Sequence, residues 1–152
     1  MNRRELLIGT GAAALAALSS TVAARAAPQA DPHAGHKMAA AGNKYAAVIA
    51  ASMECQKVAM ECENHIYQTF AAGDTSLAKC AALIAEMQAI CHATAKAASL
   101  DSARAKALIK ACMESGQDCE KECRSHAAKH DICRVTADAC KKCVEECKKA
   151  LG

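Results

Sequence analysis

Residues 77–98 read LAKCAALIAEMQAICHATAKAA, from Leu77 to Ala98. Within them Leu77, Cys80, Ile84, Met87, Cys91, Thr94 and Ala98 step by 3, 4, 3, 4, 3 and 4. That spacing returns every member to one face of a helix and makes an unbroken a/d seam. Two seam positions are cysteine. The stretch therefore predicts a helix that buries thiols against partner helices, rather than a loop stapled by disulfides.

The same rule extends to both sides. The chain has 11 cysteines in 152 residues: Cys55, Cys62, Cys80, Cys91, Cys112, Cys119, Cys123, Cys133, Cys140, Cys143 and Cys147. Within each helical stretch they recur at gaps of 3, 4, 7 or 11, all of which keep one face. Val48, Cys55, Ala59, Cys62, Ile66 and Thr69 share a face on one stretch. Ala105, Leu108, Cys112, Ser115, Cys119, Cys123 and His126 share one on another. Cys133, Ala137, Cys140, Cys143, Val144 and Cys147 share one on the last.

Four helices are predicted. The first runs from about Lys44 to Phe70 and stops at Ala71-Ala72-Gly73. The second starts behind Asp74 or Thr75 and runs to Ala98. The third starts behind Asp101 and runs to Ala128, and the fourth starts behind Asp131 and runs to Ala150. No alternating strand pattern occurs and no proline interrupts a stretch. Short connections make neighbours antiparallel, so the expected fold is all-α, an antiparallel up-down-up-down four-helix bundle with a cysteine-lined core.

A rise of 1.5 Å per residue, counted from the end holding the first and third turns, sorts the thiols into layers. Cys80, Cys123 and Cys133 fall near that end, with His65, His126 and His130. Cys62, Cys119, Cys140 and Cys143 fall about 12–16 Å down beside Met87, and Cys55, Cys91, Cys112 and Cys147 roughly 22–24 Å down. Met87 reads as packing, Met53, Met60 and Met113 as packing or partner contacts, and His92 as surface.

The N-terminus reads as a leader. Asn2-Arg3-Arg4-Glu5-Leu6-Leu7 resembles a twin-arginine motif, and Ala24-Arg25-Ala26 fits the small-x-small cleavage rule. Residues 1–26 are expected to be a signal peptide directing folded export to the periplasm. Residues 27–43, carrying His33, His36 and Met38, are expected to be a flexible tail, and residues 44–152 the bundle. The apolar run from Leu6 to Val22 is too short for a membrane span. Removing the leader leaves 16 basic and 15 acidic residues, net +1, so no basic excess is available for nucleic acid or an anionic membrane.

Apolar material is sparse. Beyond residue 26 the aromatics are Tyr45, Tyr67 and Phe70, and alanine dominates. Thiols supply part of the missing core as small hydrophobes, and bound metal would supply more. Thiols seven apart on one helix lie about 10 Å apart and cannot bridge, which leaves only cross-helix disulfides. Zinc in four-thiolate sites would stack net negative charge in an alanine-lined core with no seam cation. Iron–sulfur loop spacings are absent. Copper(I) is soft and accepts two or three thiolates. With each thiolate shared between two ions, charge balances at roughly one ion per cysteine. No catalytic motif accompanies the thiols.

Asp31-Pro32-His33-Ala34-Gly35-His36-Lys37-Met38, Cys55-x6-Cys62-x2-His65 and Cys140-x2-Cys143-x3-Cys147 together resemble the copper storage proteins. The resemblance covers the chain beyond the leader. It implies an exported bundle that holds many Cu(I) ions on the eleven cysteines, with His65 as a ligand at the mouth. It also implies assembly into tetramers and exchange with copper donor or acceptor proteins. Two departures stand out: Ile66 occupies a place where the family often has a further cysteine, and the mouth lacks methionines. The alternatives are a copper chaperone or detoxification module holding few ions, and a disulfide-stapled structural protein.

Overall fold

Helix formation follows from composition. Alanine, lysine, glutamate and glutamine fill the non-seam positions, and these are strong helix formers. The computed structural model describes residues 42–152. They form α1 (Ala46–Ala71), α2 (Ala78–Ser99), α3 (Ala105–His126) and α4 (Asp131–Leu151), with no strand among the described residues. The leader expected over residues 1–26 and all but the last two residues of the tail expected over 27–43 lie outside the described residues; Asn43, placed in that tail, is instead tied to the bundle by its bond to Ala98 O.

Short turns join the helices, so each packs antiparallel to the next. α4 closes the ring against α1. No described helix is long and apolar enough to cross a membrane.

Two turns use the left-handed region. Gly73 ends α1 at φ 86°, with the amide of Asp74 donating to Thr69 O at 3.1 Å and that of Gly73 to Phe70 O at 2.9 Å. This is a Schellman closure, for which glycine carries no Cβ penalty. Asp101 ends α2 in the same way at φ 46°, with Ser102 N donating to Ala97 O at 3.0 Å. The expected role of Asp101 as the start of α3 is therefore wrong. It terminates α2 and pairs with Lys44 at 2.7 Å, while Ser102 Oγ accepts from the Arg104 amide. Asp74 likewise accepts from Ser76 N at 2.8 Å. A single tight turn then intervenes before α2, which delays its start to Ala78.

The seams bury largely as expected. On α2 the buried set is Cys80, Ile84, Met87, Cys91, Thr94 and Ala98, with Leu77 at the N-cap. On α3 Ile109 is buried and Leu108 only partly so, its carbonyl accepting from Thr94 Oγ1 at 3.1 Å. α3 and α4 approach closely at Gly116, where a Cβ would meet Val144 Cγ2 at 3.0 Å. At the α2–α3 end the core finishes in Tyr45, Val48, Ala98, Ala105 and Ile109, all buried. Asn43 Nδ2 donates there to Ala98 O at 2.9 Å.

Candidate metal centre

All eleven thiols are buried, none more than 1% exposed, and none is in a disulfide. Their helices stack them in the middle of the bundle, each beside another sulfur. At the end with the α1–α2 and α3–α4 turns, the sulfurs of Cys62, Cys80 and Cys133 lie within 4.8 Å of one another. Cys123 Sγ is 3.6 Å from Cys80 Sγ and 4.0 Å from Cys119 Sγ. Cys140 Sγ is 3.7 Å from Cys55 Sγ. Below, Cys55, Cys91 and Cys143 form a second set within 4.8 Å, and Cys112, Cys143 and Cys147 a third. Cys112 Sγ is 3.5 Å from Cys91 and 3.8 Å from Cys143.

Two thiols sit at other depths than expected. Cys62 belongs to the mouth set and Cys143 to the deep set. For Cys62 the reason is that the helices do not end level. α1 has 26 residues against 21 or 22 in the others, and its last turn overshoots. His65, six residues before the end of α1, meets His130, the N-cap of α4, at 2.9 Å. Counting down from helix ends therefore placed Cys62 too deep.

The mouth carries imidazoles. His65, His126 and His130 are each half-buried, and the His126 and His130 ring centroids are 6.5 Å apart. His126 Nε2 is 3.3 Å from Glu122 Oε1, and Glu122 Oε2 pairs with Lys79 at 2.6 Å. His92 is exposed, as expected.

The thiols perturb one another because each can donate to or accept from its neighbours. Hydrogen bonds from Cys123 and Cys80 hold Cys62 down to about 3. Those from Cys123 and Cys140 hold Cys119 at about 5. Burial, with the neighbouring Cys62, pushes Cys133 up to about 12. Stabilising the thiolate at one sulfur thus holds the proton on the next.

Ser52 escaped the sequence reading. It is fully buried, and its Oγ lies 3.9 Å from Cys112 Sγ and 3.8 Å from Cys143 Sγ. The signal was present, because Ser52 fills the a/d position between Val48 and Cys55.

A column of reduced sulfur with gaps of 3.5–4.8 Å, closed to water, suits a soft monovalent ion that bridges thiolates. The profile of the family described as copper storage protein (Csp) matches residues 41–152. Among solved structures, the chain is similar to a cytosolic copper storage protein from Streptomyces lividans loaded with five coppers. The match has TM-score 0.66 and 27% identity, covering 71% of this chain and 92% of that one. The same protein, Ccsp, loaded with 10 copper equivalents gives TM-score 0.66 and 27% identity, with 71% and 83% covered. The Cu(I)-bound copper storage protein BsCsp3 gives TM-score 0.64 and 28% identity, with 72% and 99% covered. No curated protein matches the chain.

The expectation of an exported, periplasmic protein is overturned by these comparisons. The Streptomyces relative that the bundle resembles is described as cytosolic, and the resemblance involves the bundle, not the leader. The family profile spans nearly three quarters of the residues, and the thiol column lies wholly inside it: the chain belongs to the copper storage protein family.

Proposed function

We propose that this chain stores and buffers copper(I) along its buried sulfur column, at roughly one ion per thiol. All eleven cysteines, Cys55 through Cys147, serve as ligands, and the work is binding without catalysis. The single observation that carries this reading is that each of the eleven buried sulfurs has another within bridging distance. Two thiolates per ion, each shared with the next ion, leave the core near neutral, which a buried site with no lysine or arginine requires.

Copper enters between His65, His126 and His130. Those half-buried rings stand over the Cys62, Cys80 and Cys133 set, whereas apolar side chains seal the opposite end. Imidazole at a mouth can accept an ion from a carrier and release it to thiolate.

Assembly is proposed through the outer face of α1. Met53, Met60 and Tyr67 recur every seven residues there and are 60%, 56% and 59% exposed. A second copy laid antiparallel about Met60 would set Met53 against the partner's Tyr67 and Lys57 against the partner's Glu63, joining apolar to apolar and opposite charges. Sedimentation of the intact chain against a Met60→Glu variant reads this directly.

The test of storage is an anaerobic titration of the fully reduced protein with Cu(I) against a competing chromophoric chelator. About ten tight equivalents are expected. One or two equivalents would favour a chaperone. None, with few titratable thiols, would favour a disulfide scaffold.

A further inference from the structure

One buried sulfur in the column is not a thiol. Met87 is fully buried on α2, and its Sδ lies 3.4 Å from Cys55 Sγ and 3.5 Å from Cys91 Sγ. Both thiols donate their S–H to this one thioether. The sulfurs of Cys55 and Cys91 are themselves within 4.8 Å. A point equidistant from the corners of such a triangle lies roughly 2.0–2.4 Å from each sulfur, a range that brackets a metal–sulfur bond of about 2.3 Å.

We propose that the Met87 thioether is a copper(I) ligand, completing with Cys55 and Cys91 a three-sulfur site at mid-height in the core. The inference rests on the storage reading and adds a twelfth sulfur to it. Thioether is a soft donor, so it matches the ion as thiolate does. It brings no charge. In a core without a buried cation, a third thiolate would add a negative charge to be neutralised, whereas a third neutral donor does not. Position matters too. The site joins α1 to α2 where the Cys140–Cys55 contact meets the Cys91–Cys112 contact, so an ion there links the upper and lower thiols.

The step balances simply. Two S–H bonds break at Cys55 and Cys91, two protons leave to solvent, and two Cu–S bonds form. Met87 gives a lone pair and loses nothing, and no electron is transferred. The residual single negative charge is shared with ions that the same thiolates bridge towards Cys140 and Cys112.

The test uses selenomethionine-labelled full chain, loaded anaerobically with Cu(I), and X-ray absorption at the selenium edge. A copper neighbour at about 2.4 Å is expected, the length of a metal–sulfur bond slightly extended for selenium. Met87→Leu should abolish that signal and weaken about one equivalent tenfold in chelator competition, the rest being unchanged. A Met38→Leu/Met53→Leu/Met60→Leu/Met113→Leu variant, which leaves selenium only at Met87 and the starting Met1, should keep the signal, and it decides the matter if Met87→Leu does not fold. Selenium without a copper neighbour in fully loaded protein would reduce Met87 to packing. Failure of the unlabelled protein to take up several ions would instead sink the storage reading itself.

Discussion

His65 Nε2 lies 2.9 Å from His130 Nδ1, so one ring nitrogen must donate to the other. This contact ties the overshooting end of α1 to the first residue of the α4 turn. It also sets two imidazoles three residues outside Cys62 and Cys133 on their own helices. Replacing His65 by alanine should slow copper uptake about tenfold, as loss of a supporting ligand typically does, while the final capacity stays the same. Stopped-flow loading from a chelator complex measures both. An unchanged rate would remove the histidines from the route.

Ser52 bridges Cys112 and Cys143 with a hydroxyl whose partners are sulfur. In the loaded core that hydroxyl donates to thiolate. Ser52→Ala should lower affinity for the deep ions by roughly 10- to 100-fold without changing their number. The metal-free protein should shift in stability by about 1 kcal/mol or less, the ordinary value of one neutral hydrogen bond. Chelator competition and thermal melting separate the two effects.

Acid should empty the protein. Thiols pushed upward, such as Cys133 at about 12, carry their protons at neutral pH, and copper must displace them. The metal-free state thus binds more protons than the loaded state, so affinity rises with pH and falls with acid. The slope is about tenfold per pH unit for each proton displaced. Cys62, whose proton is held less firmly through hydrogen bonds from Cys123 and Cys80, contributes less to this release. Competition titrations at pH 6, 7 and 8, together with proton-release measurements, check the sign. A flat profile would contradict metal binding at raised thiols.

Gly116 sets the spacing of α3 and α4. Gly116→Ala gains about 1 kcal/mol of helix propensity. It also drives a methyl group to 3.0 Å from the stiff Val144 side chain, and such overpacking costs typically 1–3 kcal/mol. The net expectation is a lower melting temperature. In a Val144→Ala background the same change should raise it, since only the propensity gain remains. Four melting curves close this cycle.

Most of the fold was legible because the buried stripe on α2 is unbroken. Its steps of three and four fixed the helix, the inward face and the burial of both cysteines. Errors arose where periodicity is indifferent. A helix advances 100° per residue, so Leu108 and Ile109 fit the α3 stripe almost equally well, and packing under Thr94 chose Ile109. Asp101 carries a cap residue's signature, but its backbone at φ 46° makes it the end of α2. Cys62 lay at an unexpected depth because relative helix heights are set by tertiary packing, which no one-helix pattern encodes. Gly116 is silent in sequence, since a helical glycine acquires meaning only opposite Val144.

Tyr45, Val48, Ala98, Ala105 and Ile109 stopper the tube at its far end, with Asn43 tying the chain across the α2 terminus. With the histidine end as the entrance proposed above, copper fills and drains by the same route. Ions that reach Cys112 and Cys147 must pass every higher sulfur, and they can depart only after those above have moved. The order of withdrawal is then the reverse of the order of deposit. The protein releases its outermost copper readily and keeps the innermost as a reserve.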